Sequence, residues 1–106
     1  SFTALTVEGG DWSFVDLSHA DLRRSTWTEV RMREAELSDV QASGATFRGI
    51  DLSAANLRGA DLTEADLRGS DLTGLDPLVT SLRGALIHWQ QAVTLAEALG
   101  LDVRPE

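Results

Sequence analysis

The sequence predicts an all-β solenoid finished at its C-terminal end by one α-helix. Three observations carry this reading: a five-residue apolar beat from Phe2 to Leu72, a second inward series of mostly small residues, and a switch to helical spacing after Ile87. Each element follows from the physical chemistry of these patterns.

Every fifth residue from Phe2 is apolar: Phe2, Val7, Trp12, Leu17, Leu22, Trp27, Met32, Leu37, Ala42, Phe47, Leu52, Leu57, Leu62, Leu67 and Leu72, fifteen positions in succession. In a chain that is 42% hydrophobic, such a run arises by chance roughly once in several hundred thousand trials. A second series runs two residues ahead of the first, with Val15, Ala20, Ala35, Ala45, Ala55, Ala60 and Ala65 among its members. The position between them is polar and often acidic, as in Asp11, Asp16, Asp21, Asp51, Asp61, Asp66 and Asp71. Each block of five therefore turns two residues inward and three outward.

A period of five matches neither a 3.6-residue helix nor a two-residue strand, so the chain must turn within every block. The apolar-polar-apolar part is a minimal strand, and the two polar or glycine residues after it make a corner. Repetition of that unit winds a solenoid, with successive coils at the ~4.8 Å spacing of hydrogen-bonded strands and a right hand as the default for parallel crossovers.

The runs Ala55-Asn56-Leu57-Arg58-Gly59, Ala60-Asp61-Leu62-Thr63-Glu64 and Ala65-Asp66-Leu67-Arg68-Gly69 resemble the A(D/N)LXX motif of pentapeptide-repeat proteins. The resemblance implies a right-handed quadrilateral parallel β-helix of about four coils, with a square cross-section of twenty residues per turn. Folded at that interval, the inner stacks are Phe2, Leu22, Ala42 and Leu62; Val7, Trp27, Phe47 and Leu67; Trp12, Met32, Leu52 and Leu72; and Leu17, Leu37 and Leu57. Trp12 and Trp27 either fill a wider first end or present one ring as an interface anchor. At the amino end, either Trp12, Phe14 and their neighbours close the first coil or upstream coils do.

The solenoid is assigned to residues 1–76. Pro77 falls where the next central residue belongs and removes a ladder donor, so 77–86 is read as an irregular closing segment. Over 87–100 the apolar residues Trp89, Ala92, Val93, Ala96 and Leu99 recur at helical spacing, with Gly100 at the C′ position and 101–106 as a tail. An open solenoid end exposes apolar stacks and unpaired backbone groups, which a helix can cover. With Leu95 added, the stripe is wider than one face. Trp89, Ala92, Val93, Leu95, Ala96 and Leu99 are therefore expected to cap the last coil on one side and pair with a second copy on the other. The segment also resembles the C-terminal ending of the Qnr and MfpA type of quinolone-resistance pentapeptide proteins, in which a terminal helix mediates dimerisation.

Charge and composition exclude several function classes. Seventeen Asp and Glu against nine Arg, with no Lys, give a formal charge of -8, the wrong sign for direct nucleic-acid binding. With no Cys there is no disulfide framework, thiolate zinc site or cysteine nucleophile. No apolar stretch approaches the ~20 residues of a membrane span, and a cytoplasmic location is expected. His19 and His88 are far apart in the winding, and Asp61, Asp66 and Asp71 lie on three different sides, so no enzyme, metal or cofactor site is expected. The Asp series reads instead as corner chemistry.

The outer surface remains. Its most acidic edge is predicted to be Asp11, Asp51 and Asp71 in one column and Asp16, Glu36 and Asp76 in the next. The family resemblance implies a function for such an edge: a DNA mimic that binds DNA gyrase or topoisomerase IV by shape and charge. The alternative is a generic interaction module or scaffold, in some cases part of a longer chain, whose acidity keeps it soluble. The coils alone, at ~4.8 Å each, are expected to span roughly 18 Å.

Overall fold

A computed structural model describes residues 4–106, so Phe2 lies outside the described residues. Three strands, β1 (Thr6–Glu8), β2 (Thr26–Thr28) and β3 (Thr46–Arg48), pair in parallel in the order β1-β2-β3. Val7 faces Trp27 and Trp27 faces Phe47, so the register advances by twenty residues per rung. The remaining sides keep that register through single bridges, such as Asp11 with Arg31, Asp16 with Glu36 and Asp21 with Gln41. Four five-residue blocks therefore complete one turn of a parallel β-helix, in a molecule measuring 45 × 24 × 24 Å.

Most corners are the same hydrogen-bonded turn; those after β1, β2 and β3 bend without it. Ala35 N–H donates to Met32 O at 3.1 Å, Ala55 to Leu52 at 3.0 Å and Leu75 to Leu72 at 3.0 Å. Within these turns Glu34, Ala54 and Gly74 have φ of 55°, 58° and 90°, the left-handed residue in third place that type II turns use. At Gly74 a side chain would also come within 3.4 Å of the Ala54 backbone one coil below, so glycine serves both the dihedral and the stacking there.

The two inward positions of each block fill the tube. Leu22, Met32, Leu37, Leu52, Leu57, Leu62, Leu67 and Leu72 are buried, as are the smaller Ala35, Ala45, Ala60 and Ala65. Each large member contributes about 1.5–3 kcal/mol by leaving water. Trp27, 1% exposed, stacks on Phe47 with centroids 6.2 Å apart and meets the edge of Trp12 at 5.1 Å and 87°. Both rings thus turn inward and fill the wide first end.

Three hydroxyls replace the usual small apolar residue and satisfy themselves on the ladder. Ser70 Oγ donates to Phe47 O at 2.6 Å and accepts from Ile50 N–H at 3.0 Å, and Thr80 Oγ1 donates to Leu57 O at 3.1 Å. Ser25 Oγ donates to Leu22 O and accepts from the Trp27 indole at 2.8 Å. Among the described residues no buried side-chain polar atom lacks a partner, as a stable core requires.

The segment 77–86, expected to be irregular, continues the ladder. Ser81 bridges to Asp61 and Leu86 to Asp66, while Leu82, Ala85 and Ile87 pack against the core. Pro77 disturbs one rung only. Gly59 N–H reaches Val79 O at 2.7 Å, one residue further along than the equivalent bonds from Ala54 to Thr73 and Glu64 to Arg83. The turn at Asp76–Val79 takes up that one-residue shift, and the twenty-residue register is regained at Ser81, with the five-residue beat at Leu82 and Ile87. This added length and the helix account for a rod longer than the coils were expected to give.

Helix α1 spans Trp89–Ala98, shorter at both ends than the expected 87–100, and Gly100 takes the left-handed position beyond it with φ 86°. Among the described residues no helix is long and apolar enough to cross a membrane.

Candidate protein interface

The outer corners are set by aspartate. Asp11 Oδ1 accepts the N–H of Ser13 at 2.9 Å, Asp16 that of Ser18 at 3.0 Å, Asp51 that of Ser53 at 3.0 Å and Asp71 that of Thr73 at 3.0 Å. The same two-residue Asx turn recurs at Asp21, Asp61, Asp66 and Asp76, and Asn56 makes it with Arg58 N–H at 3.1 Å. A short polar side chain that bonds the backbone two residues on is what a chain bending every fifth residue needs. The corner reading of the Asp series therefore holds at every one of these positions.

These turns also tune the carboxylates. Hydrogen bonds from Ser13, Ser18, Ser53 and Thr63 hold Asp11, Asp16, Asp51 and Asp61 below the usual carboxylate range by favouring the charged form. At Asp21 and Asp66 an arginine two residues on forms a bidentate fork, with Arg23 at 2.9 and 2.7 Å and Arg68 at 2.9 and 2.9 Å. These forks hold both carboxyls below the usual range as well, Asp21 most strongly.

The bridges bring the predicted edge residues into two columns. Asp11, Arg31, Asp51 and Asp71 follow one another in the first, and Asp16, Glu36 and Asn56 in the second. Arg31 and Asn56 interrupt the acidic run, and the Asn56 amide donates to both Glu36 oxygens at 3.1 and 3.2 Å. Asp76 opens the displaced turn above the second column, where its Oδ1 accepts Leu78 N–H at 2.9 Å. Asp11, Asp16, Glu36, Asp71 and Asp76 are exposed and Asp51 is half-buried. Among the described residues no group of three metal-ligating side chains converges.

At the other predicted surface, Leu95 packs against the core, Val93 and Ala96 are half-buried, and Ala92 is exposed. Trp89 is 74% exposed and Leu99 47%. Leu101 at 60% and Val103 at 40% extend this uncovered apolar strip past the helix. Trp89 therefore does not cover the last coil.

Gln91 does that instead, and its polarity hid it among the outward residues. It is 8% exposed. Its Nε2 donates to Leu67 O at 2.7 Å and Ser70 O at 2.8 Å, and its Oε1 accepts His88 N–H at 2.7 Å in a capping box. Elsewhere in the ladder the carbonyl equivalent to Ser70 O takes a backbone N–H twenty-one residues ahead, as Ala60 O takes Ser81 N–H at 3.0 Å. Residue 91 is twenty-one ahead of 70. The Gln91 amide thus replaces the rung that its own backbone, now helical, no longer makes. The signal available in the sequence was this numbering, an amide side chain at the bridge position of the next coil.

The family match agrees with this geometry. The family model for Pentapeptide repeats matches residues 13–49 and 35–74 in 8 copies. Among curated proteins nothing matches the chain. Among solved structures, the chain is similar to a trypsin-treated point variant of QnrB1, described as a plasmid-mediated fluoroquinolone resistance protein. Identity is 31% with a TM-score of 0.44, over 89% of this chain and 42% of that one. It is also similar to the pentapeptide repeat protein Rfr23 from the cyanobacterium Cyanothece 51142, at 25% identity and a TM-score of 0.42, over 81% of this chain and 58% of that one. The chain thus spans less than two thirds of either structure. The five-residue beat, the twenty-residue register and the family match together establish that this chain belongs to the pentapeptide-repeat family.

Proposed function

We propose that the protein is a non-catalytic, cytoplasmic binding module whose right-handed rod imitates duplex DNA toward a type II topoisomerase, DNA gyrase or topoisomerase IV. The observation that carries this reading is a rod 24 Å across that bears acidic side chains along two adjacent columns, each interrupted once, in a chain of charge -8. A surface built to neutralise phosphates attracts such a rod by long-range steering, with a strength that falls as salt rises. The resemblance of the C-terminal segment to the ending of the Qnr and MfpA type supports the choice of partner. The uncovered strip of Trp89, Leu99, Leu101 and Val103 is the homodimer surface, and pairing there would lengthen the rod. Light scattering would then give twice the 11.4 kDa of one chain; a monomer at that mass overturns the dimer.

Gyrase supercoiling assays at two salt concentrations test the main reading. Asn56 makes the same corner turn as its aspartate neighbours, so Asp51→Asn with Asp71→Asn removes charge while the turn persists. Salt-sensitive inhibition, or protection from a quinolone, that the double variant loses and Asp61→Asn keeps is the expected result. No effect at micromolar protein overturns it and favours the second reading, a generic scaffold. The observation behind that second reading is that the same aspartates bond their own corners and that Arg31 and Asn56 break the columns.

A further inference from the structure

The tail beyond α1 repeats the building block of the tube. Leu101-Asp102-Val103-Arg104 has the aliphatic, acidic, aliphatic, basic order of Ala20-Asp21-Leu22-Arg23 and Ala65-Asp66-Leu67-Arg68, one place out of phase with the five-residue beat. It makes their ion pair too. Arg104 forks onto Asp102 at 2.8 and 2.7 Å, as Arg23 does onto Asp21 and Arg68 onto Asp66. What the tail lacks is a tube to face, for Ala65 and Leu67 are 0% exposed while Leu101 is 60% and Val103 40%. Pro105 stands at the corner position that is left-handed in Ala54 and Gly74, and a proline ring fixes φ near about −65°. This block can therefore supply one side of a coil but no corner.

The last coil has a side open for such a block. Each side of the ladder offers three backbone groups to the coil above: Ala60 O accepts Ser81 N–H at 3.0 Å, while Leu62 and Glu64 N–H donate to Ser81 O at 2.9 Å and Arg83 O at 2.8 Å. One coil further on the same three groups are Thr80 O, Leu82 N–H and Gly84 N–H, and none of them has a partner among the described residues. Leu82 is half-buried and Gly84 exposed, because Gln91 closes the rung at Ser70 and not this one. An open edge of this kind templates an extended segment. On the tail, Asp102 N–H, Asp102 O and Arg104 O are the complementary three, equally unpartnered among the described residues.

We infer that the tail of one copy adds as a strand to Thr80–Gly84 of a second copy, with Leu101 above Thr80 and Val103 above Leu82, and that each tail completes the other's ladder. Asp102 N–H then donates to Thr80 O, while Leu82 and Gly84 N–H donate to Asp102 O and Arg104 O. The donor of the tail is a second copy because α1 carries Leu101 about 15 Å from His88. Leu101 N–H is also tied to Ala96 O at 3.1 Å in the helix cap, so a fold back onto its own coil would undo that cap. Leu101 and Val103 continue the uncovered strip of Trp89 and Leu99, so a single self-complementary contact covers the strip and fills both edges. This exchange rests on the homodimer reading above and not on the topoisomerase.

The chain has no Cys, so Ser81→Cys and Asp102→Cys chains can be mixed and oxidised. Residues stacked one coil apart are ~4.8 Å apart, within the Cα range of about 4.4–6.8 Å that a disulfide spans. A covalent heterodimer is expected, and none when exposed Glu97→Cys replaces Asp102→Cys. In the unmodified full chain, hydrogen exchange at the Leu82 and Gly84 amides should be at least tenfold slower than in Val103→Asp, whose thermal melt confirms folding. Light scattering on the same samples separates the readings. A dimer whose Leu82 and Gly84 amides exchange as fast as in Val103→Asp overturns the strand addition and leaves the homodimer standing, whereas a monomer with those amides unprotected overturns both. A monomer with them protected places the tail on its own coil and overturns the exchange.

Discussion

Gln91→Leu keeps the approximate volume of the side chain and deletes every hydrogen bond it makes. Three are lost: to Leu67 O at 2.7 Å, to Ser70 O at 2.8 Å and from His88 N–H at 2.7 Å. Leu67 O keeps the Ser70 N–H at 3.1 Å, so the heaviest loss falls on Ser70 O, left buried without a donor. Such a group costs about 1–3 kcal/mol, and the lost capping box adds about 0.5–1 kcal/mol. The sum is about 1.5–4 kcal/mol, or roughly 8–20 °C of melting temperature for a domain of this size. Because each coil of a solenoid contacts only its neighbours, the damage should concentrate at one end. Hydrogen exchange at Ser81, Ala85, Leu86 and the amides of α1 should quicken well before that at Met32, Phe47 and Leu52. A variant that melts within about 2 °C of the parent, or that loses protection evenly along the rod, would refute the claim that this amide closes the ladder.

The same geometry sets three further outcomes. Leu62→Lys, at a site 2% exposed, places a charge in the tube and should cost more than about 4 kcal/mol, enough to abolish a cooperative melt by circular dichroism. Ala54→Gly, by contrast, should raise the melting temperature by a few degrees, since Ala54 holds φ at 58° and relief of left-handed strain is worth about 1 kcal/mol. Asp11, Asp16, Asp21, Asp51, Asp61 and Asp66 all have folded carboxyls more acidic than unfolded ones. Their stabilisation is therefore complete above the unfolded range near pH ~4 and drains away as pH falls through the folded values. Melts from pH 7 to pH 3 should hold level and then drop below about pH 4, and Asp66→Asn should blunt that drop.

Most of the tube was legible because its inward residues obey one arithmetic rule. Trp27 under Phe47, Met32 under Leu52 and Leu57 above Leu37 all follow from counting in fives and then twenties, and so does the corner role of Asp51 or Asp61. Pro77 was overweighted: a missing N–H breaks one rung, while burial of Leu82 and Ile87 rewards the chain for returning to register. Trp89 misled in the opposite direction, since helical spacing reports which residues share a stripe and not whether that stripe is covered. Gln91 was invisible to a search for apolar periodicity, because its role depends on where the backbone ladder stops.

A molecule indexed in this way constrains how its gene can change. Gain or loss of twenty codons lengthens or shortens the shaft and leaves every outer stripe intact. Gain or loss of five still folds, yet carries all later positions onto the neighbouring side, so that excision between Asp51 and Asp71 would split the first acidic column while the interior stayed packed. Any other length throws polar residues into the tube. Recognition by such a protein can be rewired by indels that its stability hardly registers.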